Sequence, residues 1–331
     1  VRENALQSGQ VGRLVANDFS AAMVTATLVE MDPNTKEAPD PIEVGRLLEE
    51  MIRDPFVDDK VDIHMIGFSK AVHDIASGAA QVAAFFLIAL AVTALFVRGF
   101  TRSWKLTLFP LLSSLLAVVW TMGGVTTLGY GLDPMSILVP FLIFAIAMSH
   151  GVQMVGAFSS ALSQGSLPAE ASKKAFGQLF VPGVVALLSD SVGFLTLLFI
   201  PIQVIQDLAV MSAIGVVLIF GTGFMLLPIL LARMAQDEKL VQRLSQPMPV
   251  REGLWARINL ATKPRVAFLL VMLALTGGML AYDSSTRVII GDADKGLPEL
   301  RPGSRYNVDS VTIADSFSIG VDLMTVIVES H

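Results

Sequence analysis

Six apolar runs dominate this chain. Each is close to or above the roughly 20 residues that cross a bilayer as a helix. They fall at about 79–97, 105–129, 135–158, 179–202, 205–232 and 264–282. In hydrocarbon, backbone polar groups must be satisfied within the protein, and a helix does this within one segment. Runs of this kind therefore predict transmembrane helices. The whole chain agrees: 53% of its 331 residues are hydrophobic and 16% charged. Its mean hydropathy of +0.65 is too high for an ordinary soluble domain. A net charge of -6 does not suit a nucleic-acid binder. The absence of cysteine excludes disulfides and cysteine-based metal or redox sites.

Loop charge orients the spans. Arg98, Arg102 and Lys105 follow the first, and Lys173 and Lys174 follow the third. The long polar connection after the fifth carries Arg233, Lys239, Arg243, Arg251, Arg257, Lys263 and Arg265. The alternate loops, GYGLDP and PIQVIQD, hold no Lys or Arg. The positive-inside rule puts the basic loops in the cytoplasm. Residues 1–78 and 283–331 are then extracytoplasmic. The expected organisation is an outer segment 1–78, a five-helix bundle 79–233, a cytoplasmic connection 234–263, a sixth span 264–282 and a second outer segment 283–331. Leu240, Leu244, Leu254, Trp255 and Ile258 among the charges of the connection predict a short amphipathic helix at the membrane surface.

The outer segments read as mixed structure. AAMVTATLVEM alternates like a strand, and VDIHMIGFS reads as another, with Gly67 as a stop. Between them, Val44, Leu47, Leu48 and Met51 recur at helical spacing. Residues 1–78 are thus expected to be β-α-β. Residues 283–331 begin with a Gly/Pro-rich loop, continue with a helix at 305–316 and end in a strand. The predicted fold class is a mainly α-helical transmembrane bundle with flanking α+β extracytoplasmic domains. The chain starts at Val1, shows no signal peptide and ends on an apolar alternation. It reads as an internal piece of a longer polypeptide.

Two ionisable residues interrupt the apolar runs. His150 stands in LVPFLIFAIAMSHGVQMVGAF and Asp190 in LFVPGVVALLSDSVGFLTLLF. Such groups are costly at membrane depth and mark function by default. Counting along the spans puts His150 past the midplane toward the cytoplasm and Asp190 near mid-membrane. Antiparallel neighbouring helices would then bring them within one or two side-chain lengths. The pair reads as a proton relay, or else as a polar contact that fixes helix register. Ser149, Gln153, Ser189 and Ser191 are the expected supporting partners. Gly123, Gly124, Gly151, Gly156, Gly215, Gly221 and Gly223 read as close helix-packing positions. His64 and His73 read as isolated outer histidines. Asp133 and Asp207 read as loop or cap residues. No phosphate-binding loop is present, so ATP drive is not supported.

The layout of outer domain, five spans, cytoplasmic connection, further span and outer domain resembles half of an RND-superfamily transporter, of the MMPL type. PMSILVPFLIFAIAMSHGVQMVGAF is similar to that family's fourth helix. LLSDSVGFLTLLFIPIQVIQDLAVMSAIGVVLIFGTGFMLLPILL is similar to its fifth and sixth. LPELRPGSRYNVDSVTIADSFSIGVDLMTVIVE is similar to the opening of its second outer domain. The resemblance implies helices two to seven of about twelve. It also exposes a departure: the Asp-Tyr pair common in the fourth helix of the MMPL branch is replaced here by Ser149-His150.

The resemblance implies a proton-motive-force-driven exporter of hydrophobic or amphiphilic, lipid-like substrates, in a bacterial inner membrane. No covalent chemistry is expected, hence no enzyme, and neither cofactor nor metal. The expected partners are membrane lipids, a lipidic substrate, and a homo-oligomer or accessory periplasmic or membrane subunits, with no nucleic acid. Five spans of this type also resemble a sterol-sensing domain. The alternatives are therefore a non-transporting lipid-binding or regulatory membrane protein, or a scaffold or assembly subunit.

Overall fold

A computed structural model describes residues 3, 7, 9–32, 36–131, 133, 135–235, 237–246, 258–288 and 296–318. The chain divides into two compact units, residues 1–82 with 289–331, and residues 83–288.

The second unit is a helical membrane bundle, as the apolar runs require. The candidate spans are Phe68–Thr101 (α2), Trp104–Thr127 (α3), Ser136–Ser163 (α4), Pro168–Phe199 (α5), Gln203–Ala232 (α6) and Pro264–Ser285 (α8). The residues of α2 as far as Val82 belong to the first unit. Helices α3, α4 and α6 pack on one another, and α5 packs on α4 and α6. Their shared core contains Leu106, Ile143, Met154, Val155, Phe158, Met211, Ile219 and Leu227. No residue of α8 is buried.

Small residues set the closest approach within the bundle. A methyl group at Gly215 of α6 would overlap the Ile143 side chain and stand 3.0 Å from Cγ2 of Thr121. At Gly151 of α4 it would stand 2.9 Å from Cβ of Pro110. These two behave as packing sites, whereas Gly123 and Gly124 face open space. The π-helical stretch Phe220–Leu226 interrupts α6. There the ladder shifts by one residue, and the Leu227 amide donates to the Thr222 carbonyl. Oγ of Ser113, on α3, donates to the Thr222 carbonyl at 2.6 Å.

The polar connection contains the expected helix, Glu238–Ser245 (α7), capped by Asp237, whose carboxylate accepts from the amides of Lys239 and Leu240. Leu240 is buried in the bundle core and Leu244 packs against it. Arg102 donates to the Arg243 carbonyl at the last turn of α7. Leu254 and Trp255 lie outside the described residues, and Ile258 is exposed.

In the first unit, Pro41–Leu48 (α1) continues through a π turn, Glu49–Arg53, into Asp54–Phe56. Asp40 caps α1 by accepting from the Ile42 amide. The expected helix at 305–316 is present as Arg305–Ser316 (α9). The two expected strands are not formed among the described residues. Residues 23–29 and 61–66 carry no regular secondary structure, and the pairings found are isolated bridges, Val11 with Val15 and Val15 with Ala22. A strand needs a neighbour for its amides. The Met65 amide instead donates to a side chain, the carboxylate of Asp309. The expected terminal strand beyond 318 lies outside the described residues.

Candidate functional site in the bundle

His150 sits at the middle of α4. In a helix, side chains lean toward its N-terminus. For α4 that is the end away from the basic loops. The ring follows this lean: Nδ1 lies 3.0 Å from the carbonyl of Ile146, one turn back. A carbonyl can only accept, so Nδ1 carries the hydrogen of this bond and Nε2 of the neutral ring is the acceptor. Nε2 has no hydrogen-bond partner among the described residues.

One side of the His150 ring is aromatic. Phe224, from the π stretch of α6, meets it edge-on, with centroids 5.7 Å apart and planes at 73°. Phe224 is 3% exposed. Its ring fills a notch in α5 left by Gly183, where a methyl group would overlap Cζ of the ring and stand 2.6 Å from Cε1. Gly183 therefore has to be glycine for Phe224 to lie beside His150. Sequence reasoning does not single out this position. Its only signal is a glycine in the middle of an otherwise bulky run.

Asp190 lies two turns beyond Gly183 along α5, on the order of 10 Å toward the end without basic loops. It is half-buried and makes no hydrogen bond or ion pair among the described residues. Counting along the apolar run places it near mid-membrane, but α5 begins at Pro168, well before the expected start at 179. Asp190 falls in the half of α5 away from the basic loops, and His150 at the centre of α4. The two groups thus occupy successive depths, and no hydrogen bond or ion pair joins them.

The four supporting residues are distributed differently. Ser149 and Gln153 share one face of α4 and are exposed. Ser189 is exposed and its hydroxyl donates to the Val185 carbonyl of its own helix. Ser191 is buried. None of the four bonds to His150 or Asp190. At the span ends, Asp133 caps by accepting from the amides of Met135 and Ser136, and Asp207 accepts from Gln203. No group of three or more metal-ligating side chains occurs among the described residues.

A second polar constellation, in the first unit, is not expected from the sequence. The Asp309 carboxylate is completely buried. It accepts from Arg53, from Nδ1 of His64 at 2.8 Å and from the Met65 amide at 3.1 Å. Arg53 also holds Glu49 at 2.8 Å, and Glu49 holds Lys70, which is paired with Asp74 as well. His64 is therefore a partner of a buried carboxylate and is not isolated. His73 bonds to the Ile42 carbonyl.

Residues 100–246 match the family model described as the sterol-sensing domain of SREBP cleavage-activation. The matched stretch holds α3 to α7, including His150, Gly183, Asp190 and Phe224. No curated protein matches the chain. With six spans and this match, the chain is a multi-pass helical membrane protein whose central bundle is similar to a sterol-sensing domain.

Proposed function

We propose that this chain is part of a proton-coupled exporter of hydrophobic or amphiphilic substrates, in which Asp190 and His150 are successive proton stations. The carrying observation is that both Asp190 and Nε2 of His150 are without a partner among the described residues. A polar group kept at membrane depth only to fix helix register would be bonded across a helix interface. These two are left available for protons.

Their order along the bundle supports the reading. Asp190 stands in the outer half and leans inward along α5. His150 stands at the centre and leans outward along α4. A proton moving inward down the potential supplies about 2.3 kcal/mol per charge per 100 mV. Ser149 and Gln153 present a polar face at membrane depth that hydrocarbon would not solvate. In the assembled protein another polar helix covers it. The similarity of residues 100–246 to a sterol-sensing domain supports a lipidic substrate.

The same similarity favours a second reading, a membrane regulator that binds a sterol or other lipid without moving protons. Proteoliposomes of the full chain separate the two. Proton entry is followed with an enclosed pH dye under an imposed potential. Extraction of a short-chain fluorescent phospholipid to albumin is followed alongside. The exporter reading expects both signals in the unaltered protein and loss of both in His150→Ala and Asp190→Asn. Lipid binding with no proton entry in any of the three proteins supports the regulator and overturns the exporter.

A further inference from the structure

We infer that Phe224 is the inner gate of the proton path, closing His150 off from the side of the basic loops. This rests on the reading of His150 as a proton station and names the residue that controls its access from one side.

Phe224 approaches from the basic-loop end. It belongs to α6, which runs toward that end and reaches Ala232 there. Its side chain leans back along α6, away from the basic loops, and meets the His150 ring. The Phe224 backbone stands about 12 Å from the basic-loop end of α6 and that of His150 about 20 Å from the same end of α4, so Phe224 is rooted on the basic-loop side of the ring. Behind Phe224 stand more rings. Phe180 lies 6.5 Å from Phe224 and 6.1 Å from Phe220, and Phe176 lies 4.9 Å from Phe180. Both Phe176 and Phe180 precede Gly183 on α5 and are thus nearer the basic loops. A stack of this kind offers a proton no hydrogen-bonding group and water no partner.

The backbone under Phe224 is of the kind that can move. Phe224 is carried on the π stretch Phe220–Leu226, where the helix holds an extra residue per turn. Rewinding that stretch to regular α-helix turns Phe224 out of the Gly183 notch. Gly183 offers the ring a seat without a side chain in the way, so the seated position is well defined. The seated ring is the closed gate, and the unseated ring opens His150 to the basic-loop side.

The test measures access and needs no transport. The chain contains no cysteine. His150→Cys therefore carries one thiol, at the gated position. Full-length His150→Cys protein is placed in liposomes, sorted by orientation. It is then exposed from the basic-loop side to a membrane-impermeant methanethiosulfonate. Thiol exchange rates depend on access, so with Phe224 present labelling is slow, and adding Phe224→Ala should speed it about tenfold. Phe224→Leu, which fills most of the volume without the ring, should give an intermediate rate and covers the case in which the alanine variant does not fold. Equal rates with phenylalanine, leucine and alanine at this position overturn the gate. The proton reading fails by a different signal, absence of dye acidification in unaltered protein, so the two failures are distinguishable.

Discussion

Arg53 donates to the carboxylate of Asp309 across 256 residues of sequence, and both side chains are buried. The π turn at Glu49–Arg53 brings the guanidinium into place, and α9 brings the carboxylate. The contact closes a chain of charges from Asp309 through Arg53 and Glu49 to Lys70 and Asp74.

Breaking such a pair from one side leaves a buried charge uncompensated, which costs about 3–5 kcal/mol. Arg53→Met should therefore lower the unfolding midpoint of the first unit strongly. Asp309→Asn keeps an acceptor for His64 and the Met65 amide and should cost less. Hydrogen exchange at α9 reads both. Unchanged protection of α9 in Arg53→Met would show that the pair contributes nothing to its anchoring.

The same region explains what the sequence conceals. Sequence reading finds α9 at its true limits, 305–316, because helix formation and the Ser304 cap are local. It does not find the buried face. Val308 and Val311 are exposed, while Asn307, Asp309 and Ser310 are buried. An apolar pattern cannot reveal a face that is buried through ion pairs. The bundle is more legible, since membrane spans are set by length and apolarity. What the apolar runs do not give is the length of each helix: α5 extends past its run into AEASKKAFGQ. His150 and Asp190 are visible as ionisable residue types within apolar runs. Phe224 is invisible, being one phenylalanine among many until Gly183 and His150 are seen around it.

The first unit should lose stability in acid partly through Asp62. Burial alone raises its carboxyl, but the hydrogen bond and charge of Arg305 outweigh this and hold it below its ordinary value of 3.8. A depressed carboxyl stabilises the fold above the unfolded value, and the contribution disappears as pH falls through the folded value. Asp62 is half exposed, so solvent screening keeps the effect under about 1 kcal/mol. Asp62→Asn should thus be slightly less stable near pH 7 and equal to the unaltered protein once the pH has fallen below the folded value of the carboxyl. Unfolding midpoints measured across that range check it, and a difference that persists unchanged into strong acid would rule out the ion pair as its source.

Gly215 should tolerate no side chain without repacking. A methyl group there would overlap Cδ1 of Ile143 and meet Cγ2 of Thr121 at 3.0 Å. Overpacking of this kind costs about 1–3 kcal/mol. Gly215→Ala should lower the thermal midpoint in detergent, and adding Ile143→Val should recover part of the loss by withdrawing the clashing methyl. Failure of the second change to recover anything would place the strain elsewhere.

The π stretch of α6 makes the last prediction, because its stability decides where Phe224 sits. The Thr222 carbonyl receives the Ser113 hydroxyl at 2.6 Å, and both residues are buried. The Leu227 amide also donates to this carbonyl, so removing the hydroxyl takes away one of its two donors and costs about 0.5–1.5 kcal/mol. The Ser113 bond is made to the carbonyl where the π form places it, so the loss falls on that form. Ser113→Ala should therefore shift residues 220–226 toward regular helix and unseat Phe224 from Gly183. Intrinsic fluorescence offers a local probe, since Trp120 lies 3.7 Å from the position of a Gly221 side chain. Its emission should change in Ser113→Ala, and labelling of His150→Cys from the basic-loop side should quicken with it. A spectral change without faster labelling would separate the winding of α6 from access to His150.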